Sequence, residues 1–229
     1  MQYASTRNLL SCRAILLAVA LASLPSSLIA NGPNSPEKTA DEPYHAVSVA
    51  ENVVTLSSLP DFRLDVADEF TYLGSTSFPL GDRAEADVIF FAEKDGDSVE
   101  RFVKVQVESL IDDAANNYHW EGTDTLRVEA AEYSVGYWCF DAAEAARERP
   151  ESDTAKTQAW LASHGHSQTG VFVGTRLARV FADGRSELLL FYGETTNLTG
   201  IDCEDEDAAM EHLPSVVARS DAAFSLDEE

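Results

Sequence analysis

The sequence predicts an α+β protein: a curved, mainly antiparallel sheet of about six to seven strands, with helices packed on one face. Three observations carry that prediction. Apolar and polar residues alternate with period two through much of the middle of the chain. Asp-Gly pairs at Asp95-Gly96 and Asp183-Gly184 mark tight hairpins. Alanine-rich segments at helical spacing are confined to residues 141–165 and to the C-terminal region.

The first residues are of another kind. Arg7 and Arg13 give a basic start, Ala14 to Leu24 is an unbroken small and apolar run, and Pro25 breaks it before a small residue at Ala30. That layout is a secretory signal peptide. The run is about half of the roughly 20 residues that a bilayer-spanning helix needs. Residues 1–30 are therefore expected to direct export, giving a secreted or periplasmic protein that is not an integral membrane protein. Pro33, Pro36 and Pro43 among polar residues make 31–43 a flexible linker, and a single α+β domain is expected over 44–229.

Within that domain, Val99–Ser109 alternates cleanly. Val103, Val105 and Val107 share one face, with Lys104, Gln106 and Glu108 on the other. Val88–Ala92 is its expected partner, and a turn centred on Asp95-Gly96 would set Asp87 opposite Lys104. Leu126–Phe140 reads as one long strand, bent or bulged at Gly136. The Asp183-Gly184 hairpin joins Val171–Phe181 to Ser186–Tyr192, pairing Leu177 with Leu190, Arg179 with Leu188 and Thr175 with Tyr192. Both of its faces are apolar, which predicts a central position covered on both sides.

Helices are expected where alternation stops. Asp141 with Glu144 resembles a capping box, opening a short helix that must end by Pro150. Asp153 is a candidate cap for a second helix, with Ala155, Ala159 and Ala162 on one face beside Trp160 and Gly165 as its stop. The acidic run Asp202–Asp207 suits the start of a C-terminal helical segment, because negative charge is favoured at that end of the dipole. Ala209, Leu213 and Val216 follow at helical spacing, and Pro214 should kink or divide the segment.

The formal net charge is −24, and loss of Arg7 and Arg13 with the signal would make it more negative still. Such a balance argues against nucleic acid and against docking on anionic membranes. It fits a solvated acidic surface. Of the 3 cysteines, Cys12 leaves with the signal. Cys139 and Cys203 are expected to form a disulfide, whose loop of about 65 residues corresponds to about 4 kcal/mol on the chain-entropy model.

Candidate chemistry is sparse. His164 and His166 are the metal candidates, since two close imidazoles can ligate a transition metal. Gly165 between them also reads as a helix stop, with His164 favoured in the last turn. Glu93, Asp95 and Asp97 lack the glycine and closing glutamate of a calcium loop and read as a hairpin tip. Glu108, Glu129 and Glu187, with Arg127, Arg176 and Arg179, lie in strand-like settings where they could line the polar part of a pocket. Tyr133, Tyr137, Trp138, Phe140, Phe172, Phe181, Phe191 and Tyr192 supply aromatic walls or core. From these, Glu108, Arg176, Glu187 and Tyr192 are the expected ligand-binding residues. The sequence carries no nucleophile elbow, phosphate-binding glycine loop, HExxH helix or dinucleotide fingerprint, and implies no cofactor. The expected function is that of an exported, soluble, non-enzymatic protein binding a small, partly apolar ligand or an envelope partner. The alternatives are a metal-dependent hydrolase using His164 and His166, and a structural envelope protein without ligand.

Overall fold

Two antiparallel sheets organise the chain. The computed structural model describes residues 47–57, 59–111, 117–120, 124–128 and 131–228. The expected signal and linker lie outside the described residues. Strands β1 (Val47–Ala50), β2 (Val53–Leu56) and β3 (Leu59–Val66) form a meander. Then come β4 (Thr71–Leu80), β5 (Ala84–Asp95), β6 (Ser98–Leu110), β7 (Asp124–Val128) and β8 (Ala131–Asp141). Helices α1 (Ala142–Glu148) and α2 (Asp153–Ser163) lead to β9 (Val171–Val180) and β10 (Ser186–Thr195). A short α3 (Thr196–Thr199), a long α4 (Glu206–Ala223) and β11 (Phe224–Glu228) complete the order. The larger sheet has 7 strands in the order β4-β5-β6-β10-β9-β8-β7, and the smaller has 4 in the order β1-β2-β3-β11.

The class is therefore α+β and mainly antiparallel, and the larger sheet matches the expected strand number. The smaller sheet was not anticipated. Its final strand follows directly from α4, where Phe224 and Leu226 alternate with polar residues and pair with Val66 and Leu64 of β3.

Gly184, at φ 68°, closes the β9–β10 hairpin. The register is the expected one: Leu190 faces Leu177, Leu188 faces Arg179 and Tyr192 faces Thr175. With β6 on its other side, β10 is central. The β5–β6 register differs from expectation. Asp95 pairs with Ser98, so Gly96 and Asp97 form the turn, and a register shift follows at Glu93/Lys94. The extra residue in a bulge moves every later pair, and Asp87 faces Val107 while Lys104 faces Phe90. Leu126–Phe140 is likewise two strands, with Leu126 opposite Tyr133. Gly136 lies inside β8 as an ordinary ladder residue opposite Arg176.

Both faces of the central strands carry apolar residues and both are covered, although one face also bears the buried polar side chains Lys104, Gln106, Glu108 and Glu187. One cluster joins Val54, Phe62 and Leu64 of the small sheet to Ile89, Val103, Val105, Leu188 and Tyr192 of the large one, with Val216 and Ala223 of α4. The other joins Val88, Phe90, Phe102 and Phe172 to Ala142 of α1 and Leu161 of α2. The helices are thus divided between two clusters rather than sharing one face, because a sheet with an apolar cluster on each side requires cover on both.

Local signals account for the helix ends. The Asp141 carboxylate accepts from the Glu144 N–H at 2.8 Å, as the capping box requires. In α2 the cap is Ser152, whose Oγ accepts from the Ala155 N–H at 3.2 Å. Asp153 instead occupies the first turn, where Lys104 engages it. Its buried residues are Thr157 and Leu161, while Ala159 and Ala162 are exposed. Trp160 lies against Gly74 of β4, where a β-carbon would come within 3.1 Å of the ring. Cys139 at the end of β8 is bonded to Cys203, with Cα atoms 5.9 Å apart, inside the range a disulfide spans. No helix among the described residues is long and apolar enough to cross a membrane.

Candidate functional site

A cavity of about 500 Å³ lies between the large sheet and the α1–α2 pair, within the size range of small-molecule sites. Strand alternation builds its floor. On this face Glu187 stands opposite Glu108, Leu189 opposite Gln106 and Phe191 opposite Lys104. Arg176 is the neighbour of Phe191 across the next ladder. Ala145 and Arg149 of α1, and Asp153, Thr154 and Thr157 of α2, complete the walls.

The apolar end rests on two facing glycines. Gly193 pairs with Gly174. A β-carbon on Gly193 would sit 2.6 Å from the Trp138 ring, and one on Gly174 would overlap both Trp138 and the Tyr192 carbonyl. Their missing side chains let large rings lie close to the backbone. Phe102 stacks on Phe90 with centroids 5.2 Å apart and on Trp138 at 6.0 Å, each at an interplanar angle of 22°. The Trp138 indole N–H is satisfied by the Thr175 carbonyl at 3.2 Å, so its face is left for apolar contact.

The polar end centres on two buried carboxyls. Glu108 accepts from the Gln106 amide and from the Tyr118 hydroxyl at 3.1 Å. Glu187 accepts from the Trp120 indole N–H at 3.1 Å. Burial, reinforced by Glu108 across the ladder, pushes the Glu187 carboxyl up to about 7, against the bond from Trp120 and the charge of Arg176. Burial likewise raises Glu108, more than its bonds from Gln106 and Tyr118 lower it. A buried carboxyl near 7 shares its proton at neutral pH, because the desolvated charge is costly.

Two of the cations lining the cavity, Lys104 and Arg176, already have neighbours. Lys104 lies 3.1 Å from Asp153 and 4.0 Å above the Phe191 ring. Burial works to raise Asp153, but the Lys104 ammonium outweighs it and holds the carboxyl below its ordinary value. The Arg176 guanidinium lies 4.1 Å over the Trp120 ring. Burial depresses its pKa, and Glu187 opposes that shift.

Three buried side-chain atoms have no hydrogen-bond partner among the described residues: Gln106 Oε1, Thr157 Oγ1 and Arg176 Nε. All three belong to residues lining this one cavity. Buried polar atoms are rarely left unpaired, so three around one cavity set it apart from the rest of the described interior.

Of the expected ligand-binding residues, the fold brings Glu108, Arg176 and Glu187 together. Tyr192 lies on the opposite face, because alternation along β10 turns it into the inter-sheet core; its hydroxyl donates to Glu194 at 2.9 Å. His164 and His166 lie outside the cavity lining. The His164 ring folds onto Trp160, centroids 4.8 Å apart, and its Nδ1 is 2.9 Å from the Trp160 carbonyl of its own helix. His166 Nδ1 is 3.3 Å from the Lys94 ammonium, a cation that competes with a metal. Among the described residues no group of three or more His, Cys, Asp or Glu could hold a metal ion. Glu129 lies outside the described residues.

Sequence reasoning missed Gly174 and Gly193 as floor residues, although the Asp183-Gly184 register already set them opposite each other. It also missed Tyr118 and Trp120, which come from a loop with no periodic signal. Comparison with protein-family models, with curated proteins and with solved structures yields no match.

Proposed function

We propose that this is an exported, non-enzymatic binding protein that holds a small, partly apolar molecule between its large sheet and the α1–α2 pair. The observation that carries the reading is the coincidence of a stacked aromatic floor with three unpartnered buried polar atoms around one cavity. Aromatic walls with a few placed polar groups are the usual composition of a small-molecule site. Glu108, Glu187 and Arg176 serve as its polar end, and Phe90, Phe102 and Trp138 as its apolar end. The same reading has the large sheet curving around its guest, which the bulges in β4 and β6 favour by increasing local twist. Export is supported by the signal-like first thirty residues and by the Cys139–Cys203 bond, since disulfides persist in oxidising compartments.

Native mass spectrometry of the protein recovered from its own host tests this directly. A retained small molecule, released on denaturation and lost when Ala145→Trp on the α1 wall narrows the cavity, is the expected result. Retention that is unchanged in that variant would place the molecule elsewhere and overturn the reading.

A further inference from the structure

Resting on that binding reading, we propose that the guest is a small organic cation: a protonated primary amine on an aromatic frame, its ammonium held among Gln106, Glu108 and Glu187. The argument starts from what this corner lacks. Glu108 and Glu187 are nine-tenths or more buried and stand directly opposite on adjacent strands. No basic side chain among the described residues comes within salt-bridge distance of either. Two other buried or half-buried carboxylates have one: Asp153 has Lys104, and Glu194 has Arg219.

The nearby cations do not fill the gap. Lys104 is committed to Asp153 and Phe191, and Arg176 is drawn over the Trp120 ring. The third wall of the corner is also an acceptor. Gln106 is fully buried and spends its amide N–H on Glu108, which leaves Oε1 without a partner. An ammonium brings three donors and no acceptor, and each carboxylate oxygen can take a second bond. Donor count and charge therefore both match. An anionic guest would face two carboxyls, and a neutral one would leave their repulsion in place. Beyond the corner, the stacked Phe102 and Trp138 rings offer a flat apolar surface for an aromatic frame. The net charge of −24 adds a favourable long-range field for a cation.

The test compares phenethylamine, phenethyl alcohol and hydrocinnamate, which share a phenyl group and differ in the charge of the polar end. Calorimetric titration at about pH 8 keeps Glu187 largely ionised. Phenethylamine should bind the wild-type protein at least about tenfold more tightly than the alcohol, with hydrocinnamate weakest. The Glu108→Gln/Glu187→Gln variant should bind amine and alcohol alike. If that variant fails to fold, the wild-type ranking and the single Glu187→Gln variant decide. Equal binding of amine and alcohol, stronger binding of hydrocinnamate, or an amine preference that survives both substitutions would overturn the cation inference while leaving a binding cavity. Binding of none of the three would remove the cavity reading itself, and the cation inference with it.

Discussion

Replacing Glu187 by glutamine should stabilise the protein at about pH 8 and leave it nearly unchanged at about pH 5. In the folded state, burial and the facing Glu108 lift this carboxyl from 4.5 to about 7. Across that window the folded protein holds a proton that the unfolded chain has released, so stability falls as pH rises and then levels off. At about 1.4 kcal/mol per pH unit the whole interval corresponds to about 3 kcal/mol. Relaxation and water entry around the charged side chain reduce this to about 1–2 kcal/mol. The groups that set the value are Glu108 on β6, Arg176 on β9, Arg83 before β5 and the Trp120 indole. Glutamine keeps an oxygen for Trp120 and turns an amide towards Glu108, removing the repulsion without removing the side chain. Urea denaturation at both pH values measures the difference directly. A variant no more stable than wild type at about pH 8 would refute the claim that a costly carboxylate is buried here.

Gly174→Ala should cost about 1–3 kcal/mol, because its β-carbon overlaps Trp138 and the Tyr192 carbonyl. The denaturation midpoint should fall and the tryptophan emission should shift; a neutral substitution would show that the floor can give. Reduction of Cys139–Cys203, 64 residues apart, should remove up to about 4 kcal/mol of chain constraint. Hydrogen exchange should rise first in α4 and β11, and more in dilute buffer than in high salt, where carboxylate repulsion is screened. Uniform loosening of the whole fold would contradict that order.

What was legible in the sequence depended on how local the signal was. The β9–β10 register followed from Asp183-Gly184 alone, since Gly184 supplies the positive φ and the flanking alternation admits one pairing. The β5–β6 turn was legible but its register was not, because a bulge leaves no mark in the period-two pattern. Glu108 and Glu187 could be recognised as strand carboxylates. That they face each other required knowing that β6 and β10 are neighbours, a long-range pairing that no short segment encodes. Tyr192 was misplaced for a related reason: an aromatic on a strand buried on both sides gives no hint of which side lines a cavity. The small sheet was hidden because β1 and β2 are only 4 residues each and β11, which pairs with β3, lies at the far end of the chain.

The most direct test of the binding account uses the 3 tryptophans. Trp120 and Trp138 line the cavity, whereas Trp160 packs against Gly74 and His164 outside its lining. Titration of the isotopically labelled protein with phenethylamine, followed by the indole N–H resonances, should shift Trp120 and Trp138 in saturable fashion and leave Trp160 in place. Resonances of Trp120 and Trp138 that stay fixed to the solubility limit of the amine, or a shift confined to Trp160, would contradict the account.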